Sequence, residues 1–168
     1  GHVERFNPAI VAVKRLLDTG ALGTIISINT QRLSPLPSQI TDSDVLLDLG
    51  VHDVDLVSYL MGASPIGSTV HTNDSHRPGY ACHANIALEY HQNQSALIQV
   101  SWAHPFRQRT ATITGTQGYA MVDLSGPSVT QYSDQNPEGI SVEIVPGDAL
   151  GAQIAHFSHC VQTQQTPM

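Results

Sequence analysis

With 168 residues, 40% hydrophobic and 12% charged, the chain is long enough to bury one core and too short for two ordinary domains. Seven Lys and Arg against fourteen Asp and Glu give a formal charge of -7, and the basic residues are scattered, so neither nucleic acid nor an anionic membrane is expected as a partner. No apolar run reaches the ~18 residues of a membrane span and no signal peptide is visible, while Cys82 and Cys160 stand outside any CxxC or CxxH unit, which points to a reducing, cytoplasmic setting.

The chain opens without Met on Gly1-His-Val-Glu-Arg5-Phe6 and closes on Gln-Gln-Thr-Pro-Met168 just after a helical pattern, which together read as a piece of a longer protein. Asn7 followed by Pro8 predicts a helix start, because Asn caps free N–H groups and Pro fits the first turn, with Gly20 as the stop. Ile10, Val11, Val13, Leu16 and Leu17 form its apolar face; Lys14, Arg15 and Asp18 turn to solvent. A strand is expected at about 24–33, then a Pro35-Leu-Pro37 loop, then a second helix from Asp42 or Ser43 to Met61 with Gly62 as terminator. Runs rich in Val, Ile, Thr and Tyr follow near 66–73, 81–91, 95–103, 107–115, 118–124, 127–133 and 140–145, separated by short Gly, Asn or Asp turns. A last helix is expected over about 148–163, with Asp148 near its cap.

Two helices, then consecutive strands, then a helix predict a single α+β domain over 1–168: an open, mostly antiparallel β-sheet with helices packed on one face. Ile98, Val100 and Trp102 read as an apolar stripe on the sheet's other face, to be covered by a second copy or by a neighbouring domain.

The chemistry concentrates in the second helix. Asp44, Asp48, His52, Asp55 and Tyr59 recur at helical spacings, so they share one polar stripe on an otherwise apolar helix, and such groups must pair or line a cleft. Asp48 and His52, four apart, suit general acid/base work, with the carboxylate hydrogen-bonded to the imidazole; the same spacing also suits a buried polar pair that only stabilises the helix. His52, Asp53 and Asp55 are potential metal ligands, but positions 52 and 53 point about 100° apart on a helix and no HExxH or paired-Cys signature accompanies them. His71, His76, His83 and His91 show no ligand spacing, so no metal is expected. GxSxG, GxGxxG and GxxxxGK[ST] are all missing, and Gly115-Thr-Gln-Gly118 reads as a hairpin turn. Arg5, Arg32, Arg107 and Arg109 are candidate anion contacts, and the only lysine, Lys14, lies on an exposed helix face.

Gly1-His-Val-Glu-Arg5-Phe-Asn7-Pro8, Leu17-Asp-Thr-Gly20-Ala-Leu-Gly23 and Asp48-Leu-Gly-Val-His52-Asp-Val-Asp55, with the later Trp102-Ala-His-Pro105-Phe-Arg107-Gln-Arg109 and Thr112-Ile-Thr-Gly115-Thr-Gln-Gly118, resemble the C-terminal domain of the Gfo/Idh/MocA oxidoreductases, especially members acting on nucleotide sugars. The match runs in order over nearly the whole chain. The resemblance implies an N-terminal Rossmann domain, absent here, that holds NAD or NADP and supplies a lysine. It casts His52 as the group that takes the proton from a sugar hydroxyl and Asp48 as its orienting or substrate-binding partner, with Arg5, Asn7, Arg32 and Asp55 as further substrate contacts. It implies a sugar or sugar-nucleotide substrate, a fragment inactive alone, and a homodimer or homotetramer formed through the sheet face. Ser43-Asp44 stands where many relatives carry Gly-Gly, so the entry to the second helix is expected to differ. The rival expectation is a non-catalytic α+β module for dimerisation or sensing.

Overall fold

Asn7 does what its position requires: its Oδ1 accepts from the Ala9 N–H at 3.0 Å, and Pro8 occupies the first turn of α1 (Pro8–Asp18), which follows a 3-10 turn at Val3–Phe6. The structure, a computed structural model, describes residues 1–168. Ala9, Ile10, Ala12 and Val13 bury the inner face of α1. β1 (Ile25–Pro35) follows, then a π-helical turn at Leu46–Gly50 that runs into α2 (Val51–Met61). Gly62 ends α2 at φ 68°, a left-handed conformation that only glycine adopts without strain.

The seven remaining strands are β2 (Gly67–Asn73), β3 (His83–Glu89), β4 (Ser95–Ser101), β5 (Ala103–Gly115), β6 (Tyr119–Asp123), β7 (Ser128–Ser133) and β8 (Asn136–Ser141). They form one open eight-stranded sheet with β1 in order β2-β3-β4-β1-β5-β6-β7-β8, parallel only between β1 and β4. The chain is therefore α+β, as its sequence pattern leads one to expect. Two strand boundaries differ. β5 begins at Ala103 rather than near 107, because only Trp102 separates it from β4, and the last strand lies at 136–141 rather than 140–145. At the β5–β6 turn a side chain on Gly115 would come within 2.0 Å of the Leu22 carbonyl oxygen, so this glycine is there for close backbone approach.

Register decides which face is which. Ile98 pairs with Thr30 and Ile86, and Thr30 with Ala111, so these residues share one face, and α1 and α2 cover it. Ile98, Val100 and Trp102 lie on that covered face, at most 3% exposed, so the reading of them as an exposed apolar stripe is corrected. Their neighbours face the other way: Gln31 donates to Gln99 and accepts from Gln108, each at 2.9 Å, and the open face is largely polar. The argument for a dimer from an apolar stripe goes with it. The last helix, α3 (Ala149–Thr163), is capped by Asp148, whose Oδ1 accepts from Leu150 N–H at 3.1 Å, and it leans on the Val3–Phe6 turn rather than on the sheet. No helix is long and apolar enough to cross a membrane.

Ile98→Ala is expected to cost about 2–5 kcal/mol in urea unfolding, whereas Leu97→Ala, one residue along on the open face and 58% exposed, should change stability by about 0.5 kcal/mol or less. Equal losses at the two positions would contradict the register.

Candidate functional site

Asp44 starts the site from below. Its Oδ1 accepts from Leu47 N–H at 3.0 Å, and Val45 N–H bonds the Ala81 carbonyl at 2.9 Å, which pins the helix entry against the chain leading into β3. The next turn widens: Val51 N–H reaches back five residues to Leu46 O, a π-type bond that holds one extra residue in the turn. From this widened turn Asp48, and from the first turn of α2 His52, both face a cavity of about 280 Å³. Its other polar walls are Glu4 of the 3-10 turn, Arg32 and Ser34 at the end of β1, Gln39 of the following loop, and Arg107 and Arg109 of β5.

The expected Asp48–His52 hydrogen bond is not formed. Asp48 Oδ2 accepts instead from the indole N–H of Trp102 at 3.3 Å, and His52 has no side-chain hydrogen-bond partner within the chain. Trp102 can serve because the short β4–β5 bend leaves its ring buried beneath the helices while its N–H, an obligatory donor when buried, needs an acceptor.

Beside this pair lies a buried ionic cluster. Arg32, 3% exposed, bonds Asp53 through Nε and donates to Glu4 Oε1 from Nη1 at 2.8 Å. Glu4 in turn accepts from Asn7 Nδ2 at 3.2 Å, and Arg109 stands 3.8 Å from the same Glu4 Oε1. Burial works against the charge on Arg32, yet Asp53 and Glu4 outweigh it and hold the guanidinium above its ordinary pKa, so Arg32 is a permanent cation. Burial pushes Asp53 up while Arg32 pulls it down. Burial, then the nearby Arg32, push Arg109 down. Arg32 Nη2, Asp53 Oδ1 and Thr30 Oγ1 are buried without a hydrogen-bond partner.

Asp48, His52 and Arg32 thus meet at one cavity. Arg5, Asn7 and Asp55 do not line it. Arg5 pairs with Asp55 through two bonds at 2.9 and 2.5 Å and lies over the Tyr59 ring at 5.3 Å, His2 Nδ1 adds a third contact to Asp55 at 3.2 Å, and Asn7 caps α1 through Oδ1 while its Nδ2 donates to Glu4 and to the Leu124 carbonyl. The polar stripe of the second helix is therefore shared between the cavity and the N-terminal turn. Sequence reasoning passed over Glu4, Trp102 and the ion-pairing role of Asp53. Asp53 lies off the stripe, and only its being an acid at an otherwise apolar helical position, 1% exposed in the fold, marked it as needing a cation.

A family model described as the GFO/IDH/MocA C-terminal domain matches residues 10–121 of the 168. The scyllo-inositol 2-dehydrogenase (NAD(+)) of Bacillus subtilis (strain 168) is 25% identical over 185 aligned residues, covering 100% of this chain and 53% of that protein. The solved UDP-N-acetylglucosamine 3-dehydrogenase of Acidithiobacillus ferrooxidans superposes with a TM-score of 0.86 at 25% identity, over 99% of this chain and 53% of that one. The aldose-aldose oxidoreductase of Caulobacter crescentus shares the fold, with a TM-score of 0.88 at 18% identity over 100% of this chain and 54% of that one. The chain spans about half the length of these relatives.

Arg32→Ala is expected to cost about 3–5 kcal/mol, because it strands Asp53 in the interior without its counter-ion. Arg5→Ala, whose side chain is 21% exposed, should cost clearly less. Chemical denaturation of the two variants checks the order, and an Arg32→Ala loss below that of Arg5→Ala would contradict it.

Proposed function

The chain belongs to the GFO/IDH/MocA family as a C-terminal domain, and from that premise we propose that it is the substrate-binding domain of an NAD(P)-dependent oxidoreductase acting on a hydroxyl or keto group of a sugar, sugar nucleotide or related cyclic polyol. The observation that carries this reading is the placement of a partner-free imidazole, His52, beside Asp48 in one polar cavity. At about 280 Å³ the cavity lies just below the ~300–1,000 Å³ typical of ligand pockets, room for one ring with the rest of a larger ligand outside it.

Oxidising an alcohol to a carbonyl removes a proton from oxygen and two electrons with the second hydrogen from carbon. In this reading His52 takes the oxygen-bound proton, since a neutral imidazole is a base near neutral pH and nothing in the chain competes for its ring nitrogens. Asp48 accepts a neighbouring substrate hydroxyl through the oxygen capacity that the single Trp102 bond leaves open. Arg32, tied down by Asp53 and Glu4, forms the rigid charged wall. Arg5, Asn7 and Asp55 act one step back, holding the Val3–Phe6 turn against α2 so that Glu4 reaches the cavity.

The residues present do not fit a dinucleotide. The only parallel strand pair, β1 with β4, has no glycine-rich turn leading from a strand into a helix. The acceptor named for the Bacillus relative is NAD(+), and in this proposal a Rossmann domain in the half of the protein outside these residues holds it, so the fragment is inactive alone. Two unpaired buried cysteines fit a reducing compartment.

The test is turnover of the full-length protein carrying this chain, followed by nicotinamide absorbance over a panel of cyclic polyols and sugar nucleotides. His52→Ala is expected to lower kcat by about 10²- to 10⁴-fold, and His52→Gln, which keeps the shape and removes the base, should fall with it. Near-normal turnover in both variants would overturn the assignment and favour a non-catalytic assembly or sensing module.

A further inference from the structure

The chain carries seven cationic side chains, and five are engaged. Lys14 pairs with Asp18 at 2.6 Å, Arg5 with Asp55 at 2.9 Å, and Arg32 with Glu4 and Asp53; Arg15 donates to the Glu143 carbonyl at 2.8 Å, and Arg77 donates to the backbone carbonyls of Ile40, Thr41 and Ser43. The two left over, Arg107 and Arg109, are in the same place. They stand two residues apart on β5, Arg109 opposite Arg32 and Arg107 where the regular β1–β5 pairing breaks off, and both line the cavity that holds His52.

The acids in that cavity do not satisfy them. Glu4 Oε1 is bonded to Arg32 at 2.8 Å and stays 3.8 Å from Arg109, beyond hydrogen-bond distance, while Glu4 Oε2 is held by Asn7 and Asp48 Oδ2 accepts from Trp102. Arg107 has no carboxylate within ion-pair range, and Arg109 keeps only the long contact to Glu4. Crowding of Arg32 and Arg107 around a half-buried Arg109 adds to the burial that lowers its pKa. An anion at this point relieves that crowding and uses donors that the fold leaves idle.

We infer that Arg107 and Arg109 form an anion clamp in the substrate cavity, and that the substrate carries an anionic oxygen group, a carboxylate or a phosphate, on the same small molecule whose hydroxyl meets His52. The inference rests on the reading of this cavity as the substrate site. It narrows that reading from sugars and polyols at large to acidic ones: a uronate, a sugar phosphate, or a sugar joined to a nucleoside diphosphate.

Calorimetric titration of the full-length protein, with NAD⁺ present, tests this with glucuronate, glucose 1-phosphate, UDP-glucose and the neutral myo-inositol as probes. At least one anionic probe should bind ten-fold or more tightly than myo-inositol. That preference should weaken with added salt, because exposed guanidinium–anion contacts are screened. It should also fall about ten-fold or more in the Arg107→Gln/Arg109→Gln double variant and recover in part in Arg107→Lys/Arg109→Lys. Whether glucuronate or the phosphate probes carry the preference separates a carboxylate from a phosphate ligand. Myo-inositol binding as tightly as every anionic probe, or a preference that survives the double Gln variant, overturns the clamp. Turnover is read separately: an Arg-dependent anion preference without oxidation keeps the clamp and sinks the oxidoreductase reading, whereas oxidation without anion preference does the opposite.

Discussion

Everything around the cavity hangs on a guanidinium that water does not reach. Arg32 leaves β1 on the covered face of the sheet and is met by Asp53 from α2 and Glu4 from the Val3–Phe6 turn. Three segments far apart in sequence are thereby fixed at one point. A buried ion pair is weak evidence for net stability, since desolvation offsets much of its attraction, but breaking it is costly and its geometry is narrow. Its structural effect is to set the rotation of α2 about its axis. With Asp53 turned inward to Arg32, His52 is turned about 100° away, to the cavity, and Asp55 to Arg5.

The π turn at Leu46–Gly50 complements this constraint. A regular helix leading into α2 would carry one residue fewer in that turn, whereas the i→i-5 bond from Val51 to Leu46 sets where Asp48 stands relative to His52. Asp48 lands within reach of Trp102 rather than of the imidazole. In the proposed reading this leaves both ring nitrogens of His52 without a partner in the chain and an oxygen of Asp48 available to a ligand.

Much of this was legible from the chain alone, and the parts that were not have physical reasons. Capping by Asn7 and Asp148, the stop at Gly62 and the alternation along β3 are local signals, and the fold reproduces them. The identity of Asp48 and His52 as cavity residues was readable because ionisable groups on an apolar helix must face something polar. Which faces of the sheet are covered was not readable, because Ile98, Val100 and Trp102 form the same period-two stripe whether helices or a second sheet lie above them. The partners of Glu4 and Asp53 depend on contacts 28 and 21 residues apart in sequence, which no local pattern encodes. That Arg107 and Arg109 are left without a close ion pair depends on where the other five cations are held, which is a property of the whole fold rather than of any local pattern.

The most direct measurement is a crystal structure of the full-length protein with a turned-over substrate bound. The account predicts the substrate ring in the cavity beneath α2, with the oxygen of the reacting carbon ~2.6–3.2 Å from a His52 ring nitrogen and a second substrate oxygen on Asp48. A substrate bound on the open glutamine-rich face of the sheet, or in the cavity with its reacting carbon turned away from His52, would contradict it.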